Sequence, residues 1–406
     1  MKGLSVLKKL FLLCSFLAFC TLQADDLGSI LSSNKSLLFE YDFEANDLES
    51  DKLSKSWVNP ILLQYRKNYT TQFIGEKVGL GTYSVTIDQP IFRSGGIYYA
   101  ILYSDALRHA NAADLTLQRR KLIGDAVSIL FNLKKNKLEQ KKMSLLIKND
   151  KIDIRQKRDS YEAGLLDSSF LDQAILNKSQ DEASLLELEL NLLELKQRFA
   201  LISDKNPEAL TLPKLKLMNR ENYTRENLDL KTDRLRAEVS DYNEKITWAK
   251  YLPTVSLQGQ YINGDINPLF VGPGSRLQEE YYNYGFAVSM PLDINAFADV
   301  EASKVEKLRA AVQVIDRQEK VLEEYQWIVN SLDVLDRKIL LAKKDESIYK
   351  SLYRVTKNLA DAGEKTSLDT AIMHNSLNIR KLDQKIYTID KQVQLLKLYV
   401  RVENVL

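Results

Sequence analysis

Apolar residues recur along this chain with two different periods. From Ile379 the series Ile379, Leu382, Ile386, Ile389, Val393, Leu396, Val400 steps by three and four, the seam of a coiled-coil helix. Upstream, Leu308, Ile315, Leu322, Val329 and Asp336 fill one heptad position, and Ala311, Gln318, Tyr325, Leu332 and Ile339 fill its partner. The stretch 297–406 has no proline and one glycine, Gly363. Breakers this scarce predict two long helices folded back at Ala362-Gly363, the first about 100 Å long at 1.5 Å per residue. The stretch 97–206 is its twin. It has no proline, its glycines are Gly124 and Gly164, and its seam is Leu185, Leu188, Leu192, Leu195, Phe199, Ile202. Pro90-Ile91 matches Pro291-Leu292, and Ala163-Gly164 matches Ala362-Gly363, at Pro-to-Gly spacings of 74 and 72. The chain is an internal duplication.

The second period is two. Leu63, Tyr65, Lys67, Tyr69, Thr71 and Phe73 alternate with Gln64, Arg66, Asn68, Thr70 and Gln72. Tyr83, Val85 and Ile87 alternate with Thr82, Ser84, Thr86 and Asp88. The second half repeats this with Val255, Leu257 and Tyr261, then Tyr284, Phe286 and Val288, against small or polar partners. The alternation predicts strands at 62–74, 78–90, 254–263 and 281–291. In the second half one face carries aromatics, and the other is small and uncharged. That is the pattern of a membrane β-barrel with lipid outside and water inside. Tyr83, Val85, Ile87, Val255, Leu257, Tyr261, Tyr284, Phe286 and Val288 are the expected lipid-facing set. Four strands are too few to close a barrel, so several chains must share one.

The predicted organisation follows. A first repeat, 25–206, has a helix at 26–57, two strands and a helical hairpin at 97–203. A proline-bearing segment, 204–222, breaks the helical pattern. A second repeat, 223–406, has a helix at 223–250, two strands and a hairpin at 297–406. The fold class is mostly α with a small β part.

Residues 1–24 read as a secretory signal peptide: Lys2, Lys8 and Lys9 precede an apolar run that ends near Ala24. Cys14 and Cys20 are the only cysteines and lie in that leader, so the mature chain has neither disulfide nor thiol chemistry. Phe19 is bulky where a lipoprotein acceptor at Cys20 wants a small residue. The net charge is +2, and three lysines belong to the leader, so nothing points to nucleic acid. His109 and His374 are the only histidines and are far apart in sequence. No phosphate loop or nucleophile elbow is present, and the residues nominate no enzyme, cofactor or metal.

The segments Leu252-Pro253-Thr254-Val255-Ser256-Leu257, Gly285 to Leu292 and Tyr161-Glu162-Ala163-Gly164-Leu165, with the order of strands and hairpins, resemble the TolC family of outer-membrane efflux proteins. One departure is Asp293-Ile294-Asn295-Ala296, where the family has a phenylalanine and a glycine pair; the first half keeps Ile91 to Gly96. The resemblance covers essentially all of the mature chain. It implies a homotrimer in the outer membrane of a Gram-negative bacterium, with a 12-stranded barrel in the lipid and a helical tunnel in the periplasm. It further implies a passive exit duct coupled to a periplasmic adaptor protein and an inner-membrane transporter. By the same resemblance the duct closes at the hairpin turns, Gly164 and Gly363. There Asp369 matches the family's pore-facing gate aspartate and Lys365 the basic residue of its charged links. Phe170 stands where the first-half acidic partner is expected, which leaves Asp167 or Asp172 for that role. The second hairpin is then the inner one. A periplasmic adaptor would need one hairpin flanked by soluble β-domains, and a structural coiled-coil envelope protein would need no two-faced strands.

Overall fold

The computed structural model of the protein describes residues 28–71, 77–266 and 276–403. The expected signal peptide and the end of the expected first strand, 72–74, lie outside these. The chain divides into two compact units, one of residues up to 40, 115–229 and 318 onward, the other of 41–114 and 230–317.

The second of these units carries a sheet of four antiparallel strands in the order β1-β2-β3-β4: β1 Leu62–Thr70, β2 Val78–Phe92, β3 Thr254–Gly264 and β4 Glu280–Ser289. β4 stops before Pro291, which has no N–H to donate. β2 instead runs through Pro90 to Phe92, because the pairing with β3 shifts register between Pro90 and Phe92. A register shift of this kind absorbs the missing donor. Helix α1, Ser33–Ser54, lies against helix α2, Gly96–Glu162, through small side chains. Ser50 Oγ and Ser104 Oγ are 3.3 Å apart, and each donates to the other's carbonyl. The two repeats enter their long helices differently. Ser94 and Gly95 take φ of 49° and 86° before α2. In the second half the Asp293 carboxylate instead accepts from the Asn295 N–H at 2.8 Å, and the Ala296 N–H donates to the Asp293 carbonyl.

The other unit is helical. Besides part of α2 it holds α3 Ser168–Ala200, α4 Arg220–Arg225, the end of α6 Ala296–Asp361, and α7 Ser367–Tyr399. The expected helix at 223–250 is thus two pieces, α4 and α5 Leu228–Lys250, with an isolated bridge between Asn227 and Val402 at the break. Side-chain contacts give the lateral order α3-α2-α7-α6. Asn136 of α2 donates to the Leu188 carbonyl of α3 at 3.0 Å. Lys142 and Lys135 of α2 pair with Asp383 and Asp390 of α7 at 2.7 and 2.8 Å. Lys391 of α7 pairs with Asp336 of α6 at 2.6 Å. Asp383 is buried and also meets Arg380 at 3.1 Å, so its charge is compensated on both sides.

The seam of α7 is buried at Ile379, Ile386, Ile389 and Leu396. On α6 the buried row is Val321, Tyr325, Ile328 and Leu332, again a 4-3-4 spacing. It takes only part of the heptad pattern expected there: Leu308 and Ile315 are about 60% exposed. α6 therefore has a second apolar row that the described residues leave uncovered. Gly124 sets the approach of α2 to α7, since a Cβ there would stand 2.2 Å from Val400 Cγ2. The proline segment closes the side of the bundle: Gln392 accepts from and donates to the backbone of Leu215, and Tyr325 donates to the Met218 carbonyl.

Gly124→Ala is expected to lower the melting temperature of the purified protein, and Val400→Ala in the same chain is expected to recover most of the loss. A double-mutant cycle checks this, with a coupling of about 1 kcal/mol or more expected for residues in contact.

Candidate functional site

Two places in the molecule carry the expected site residues, the sheet and the hairpin turns. In the sheet, cross-strand neighbours share a face. Register pairs Tyr65 with Tyr83, Leu63 with Val85, Val85 with Tyr261 and Gln89 with Leu257. It also pairs Val255 with Val288, Leu257 with Phe286, and Gly259 with Tyr284. All nine residues of the expected set therefore lie on one face, joined by Leu63, Tyr65 and Tyr69. Tyr284 and Phe286 are 90% and 73% exposed, so nothing among the described residues covers that face there. Its charged strand residues are Lys67 and Glu280, at the end away from the helices, where Tyr261 and Tyr282 donate to Glu280 at 3.2 and 3.3 Å.

The opposite face is built of short polar and small groups. Gln64 pairs with Ser84, Thr86 with Gln260, Asp88 with Gln258, Ser256 with Ala287, and Gln260 with Asn283. Gln260 reaches Thr86 Oγ1 at 3.4 Å. Ile262 and Tyr281, paired at its far end, break the polar run. Among the described residues, the outer strands β1 and β4 each have one side without a partner strand.

At the helical turns, both glycines are left-handed, Gly164 at φ 70° and Gly363 at 81°. Each closes a Schellman motif. Leu165 N donates to the Ser160 carbonyl and Gly164 N to that of Tyr161; Glu364 N and Gly363 N donate to Leu359 and Ala360. The next helices start on side-chain caps. Asp167 caps α3 by accepting from the Ser169 N–H at 2.9 Å, and that hydrogen bond holds its carboxyl below the usual range. Thr366 caps α7, and Asp369 is the reciprocal member of a capping box.

Asp369 is thus more than a charge near a turn. Its carboxylate accepts from the Thr366 N–H at 3.0 Å, from Thr366 Oγ1 at 2.8 Å and from Gln156 Nε2 of α2 at 2.9 Å. The Thr366 backbone bond, then Gln156, the Thr366 hydroxyl and the Lys365 charge hold its pKa below the ordinary value. Lys365 precedes the first residue of α7. Among the described residues its ammonium makes no ion pair, and Asp172 is exposed without a partner. The turn thus brings together Asp369, Thr366 and Gln156, and does not bring Lys365 to Asp167 or Asp172. The Thr366-to-Asp369 box was readable from its spacing; Gln156, 213 positions away, was not.

Among the described residues, no helix is long and apolar enough to cross a membrane, and no group of three or more His, Cys, Asp or Glu is placed to hold a metal ion.

No protein-family model matches the sequence, and no curated protein does. Solved structures do. The outer membrane protein VceC of Vibrio cholerae matches with a TM-score of 0.72 at 15% identity, over 94% of this chain and 97% of VceC. The CmeC outer membrane channel of Campylobacter jejuni matches with 0.74 at 15% identity, over 93% and 84%. The open state of the MtrE outer membrane channel of Neisseria gonorrhoeae matches with 0.65 at 12% identity, over 95% and 90%. The fold of this chain is that of the TolC-type outer-membrane channels.

Proposed function

We propose that the protein is an outer-membrane exit duct formed by three copies of the chain, with the sheet in lipid and the hairpin turns in the periplasm. The observation that carries this is the two-faced sheet with two unpaired edges. Backbone N–H and C=O groups in hydrocarbon have no water to bond, so an open edge there costs several kcal/mol per group. Pairing β1 of one copy with β4 of the next removes every edge. Three copies give twelve strands, apolar outside and polar within, and an aqueous lumen.

The helices support the same assembly. α3 exposes Leu176, Leu186, Leu190 and Leu193, and α6 exposes Leu340, Leu341, Leu352 and Val355. These stand on the two outer helices of the order α3-α2-α7-α6. Apolar rows of this extent mark interfaces, and a second copy is the occupant that the sheet already requires. The structural neighbours named as outer membrane channels support the reading. In it the duct is passive, takes no cofactor, and is served by a periplasmic adaptor and an inner-membrane pump. Asp369 and the turns form the closed end, the second hairpin lies inside, and Lys365 is free to meet a carboxylate of a neighbouring copy.

Arginine at Val288, on the apolar face, is expected to deplete assembled protein, whereas arginine at Ala287 faces water and is tolerated. Oligomer recovered from outer membranes measures both, and equal loss contradicts the face assignment.

At the turn, Asp369→Asn is expected to lower cation preference in single-channel recordings, while Lys365→Ala raises conductance. The Asp369 carboxyl is depressed by its hydrogen bonds. Its contribution to stability is therefore complete above the unfolded value of about 3.9 and is lost as pH falls through the lower folded value. Turn stability, read by hydrogen exchange at α7, should be level from about pH 5 to 8 and fall only below about pH 4.

A further inference from the structure

The polar face of the sheet has a feature that the duct reading alone does not require. Among its described strand residues, the side chains are hydroxyls, amides, small groups and a few apolar ones, with two exceptions. Arg66, paired with Thr82, lies toward the end away from the helices. Asp88, paired with Gln258, lies toward the helical end. The two charges stand at different levels. Six residues of β2 separate Thr82 from Asp88, about 20 Å along the strand at 3.4 Å per residue and roughly 15 Å along a barrel axis after tilt. Neither is neutralised by an ion pair among the described residues. Arg66 donates to Gln64 Oε1 at 3.4 Å, which leaves its charge intact.

We propose that in the trimer Asp88 and Arg66 form two separate rings of opposite charge, a negative inner ring and a positive outer one, so that the lumen concentrates small cations at one level and small anions at the other. This rests on the barrel reading above. The magnitudes support it. Twelve strands about 4.8 Å apart and tilted by about 40° give a backbone diameter of roughly 24 Å, and side chains reduce the water-filled radius to roughly 8 Å. The screening length is about 8 Å at 0.15 M salt, about 30 Å at 0.01 M and about 3 Å at 1 M. At physiological salt each ring therefore reaches the axis at its own level, yet the rings, roughly 15 Å apart, do not cancel. Rings of fixed side-chain charge select ions by sign in this way. A cation moving outward meets attraction and then repulsion, and an anion meets the reverse.

The test uses the full-length protein assembled in outer membranes. The mature chain is expected to contain no cysteine, so single thiols at Thr82→Cys and Gln258→Cys report the two levels without background. Each is treated with a cationic, an anionic and a neutral methanethiosulfonate, with rates normalised to a free thiol. At 0.05 M salt the anionic reagent should be favoured over the cationic at position 82 by about threefold or more, and the cationic favoured similarly at position 258. Both ratios should approach one in 1 M salt. Arg66→Gln should abolish only the first preference and Asp88→Asn only the second. Equal ratios at both positions, with the neutral reagent reacting normally, overturn the charge rings and leave the barrel standing. If the neutral reagent reaches neither position in an intact oligomer, that face is not water-filled, and the barrel reading falls with the rings.

Discussion

The peptide groups along β1 and β4 dictate more of this molecule than any side chain does. Each outer strand has one row of N–H and C=O groups without a partner strand among the described residues. In water such an edge is a hazard, and in hydrocarbon it is prohibitive. On the proposed reading the environment is lipid, because the register gathers tyrosine, phenylalanine, leucine and valine on one surface and hydroxyls and amides on the other. A sheet with an uncovered apolar face and two open edges has one solution in lipid, which is closure with copies of itself. On the proposed reading, assembly is therefore the condition under which the fold is stable at all.

The helices meet the same demand by a different chemistry. Within the chain α2 and α7 are the inner pair, held by Gly124 under Val400 and by the Lys142–Asp383 and Lys135–Asp390 pairs. α3 and α6 are the outer pair and keep apolar rows in reserve. At the turns the strain is local. Left-handed glycines end two helices, and side-chain caps start the next two. The second turn is the better tied, because Asp369 joins a capping box to Gln156 of a different hairpin. A residue so placed links the shape of one turn to the position of the neighbouring helix.

Much of this was legible in the sequence, and the remainder was hidden for physical reasons. Period two in Tyr83, Val85 and Ile87 and the 3-4 seam of α7 are local signals, and both elements stand where those signals fall. Pro291 marked the end of β4 because a missing N–H is also local. The register shift at Pro90 was not legible, since it depends on how β3 is paired, some 165 positions away. On α6 the apolar residues were visible, but which of them this chain buries depends on which side α7 takes. Thr366 and Asp369 carried a readable cap signature. Resemblance drew attention to Asp369 and Lys365 as charges, whereas the structure shows the aspartate first as a hydrogen-bond acceptor for its own helix terminus.

The central claim is that β1 of one copy pairs with β4 of the next to close a ring of three. Cysteine pairs placed across that seam test it directly, one at Gln64 with one at Asn283, Gly285 or Ala287 in turn, oxidised in intact cells. The account predicts disulfide-linked species at two and three times the chain mass for the matching register, all in the outer-membrane fraction and none larger than three. Closure at another number, an unbroken ladder of larger species, or no crosslink at any of the three positions would contradict it.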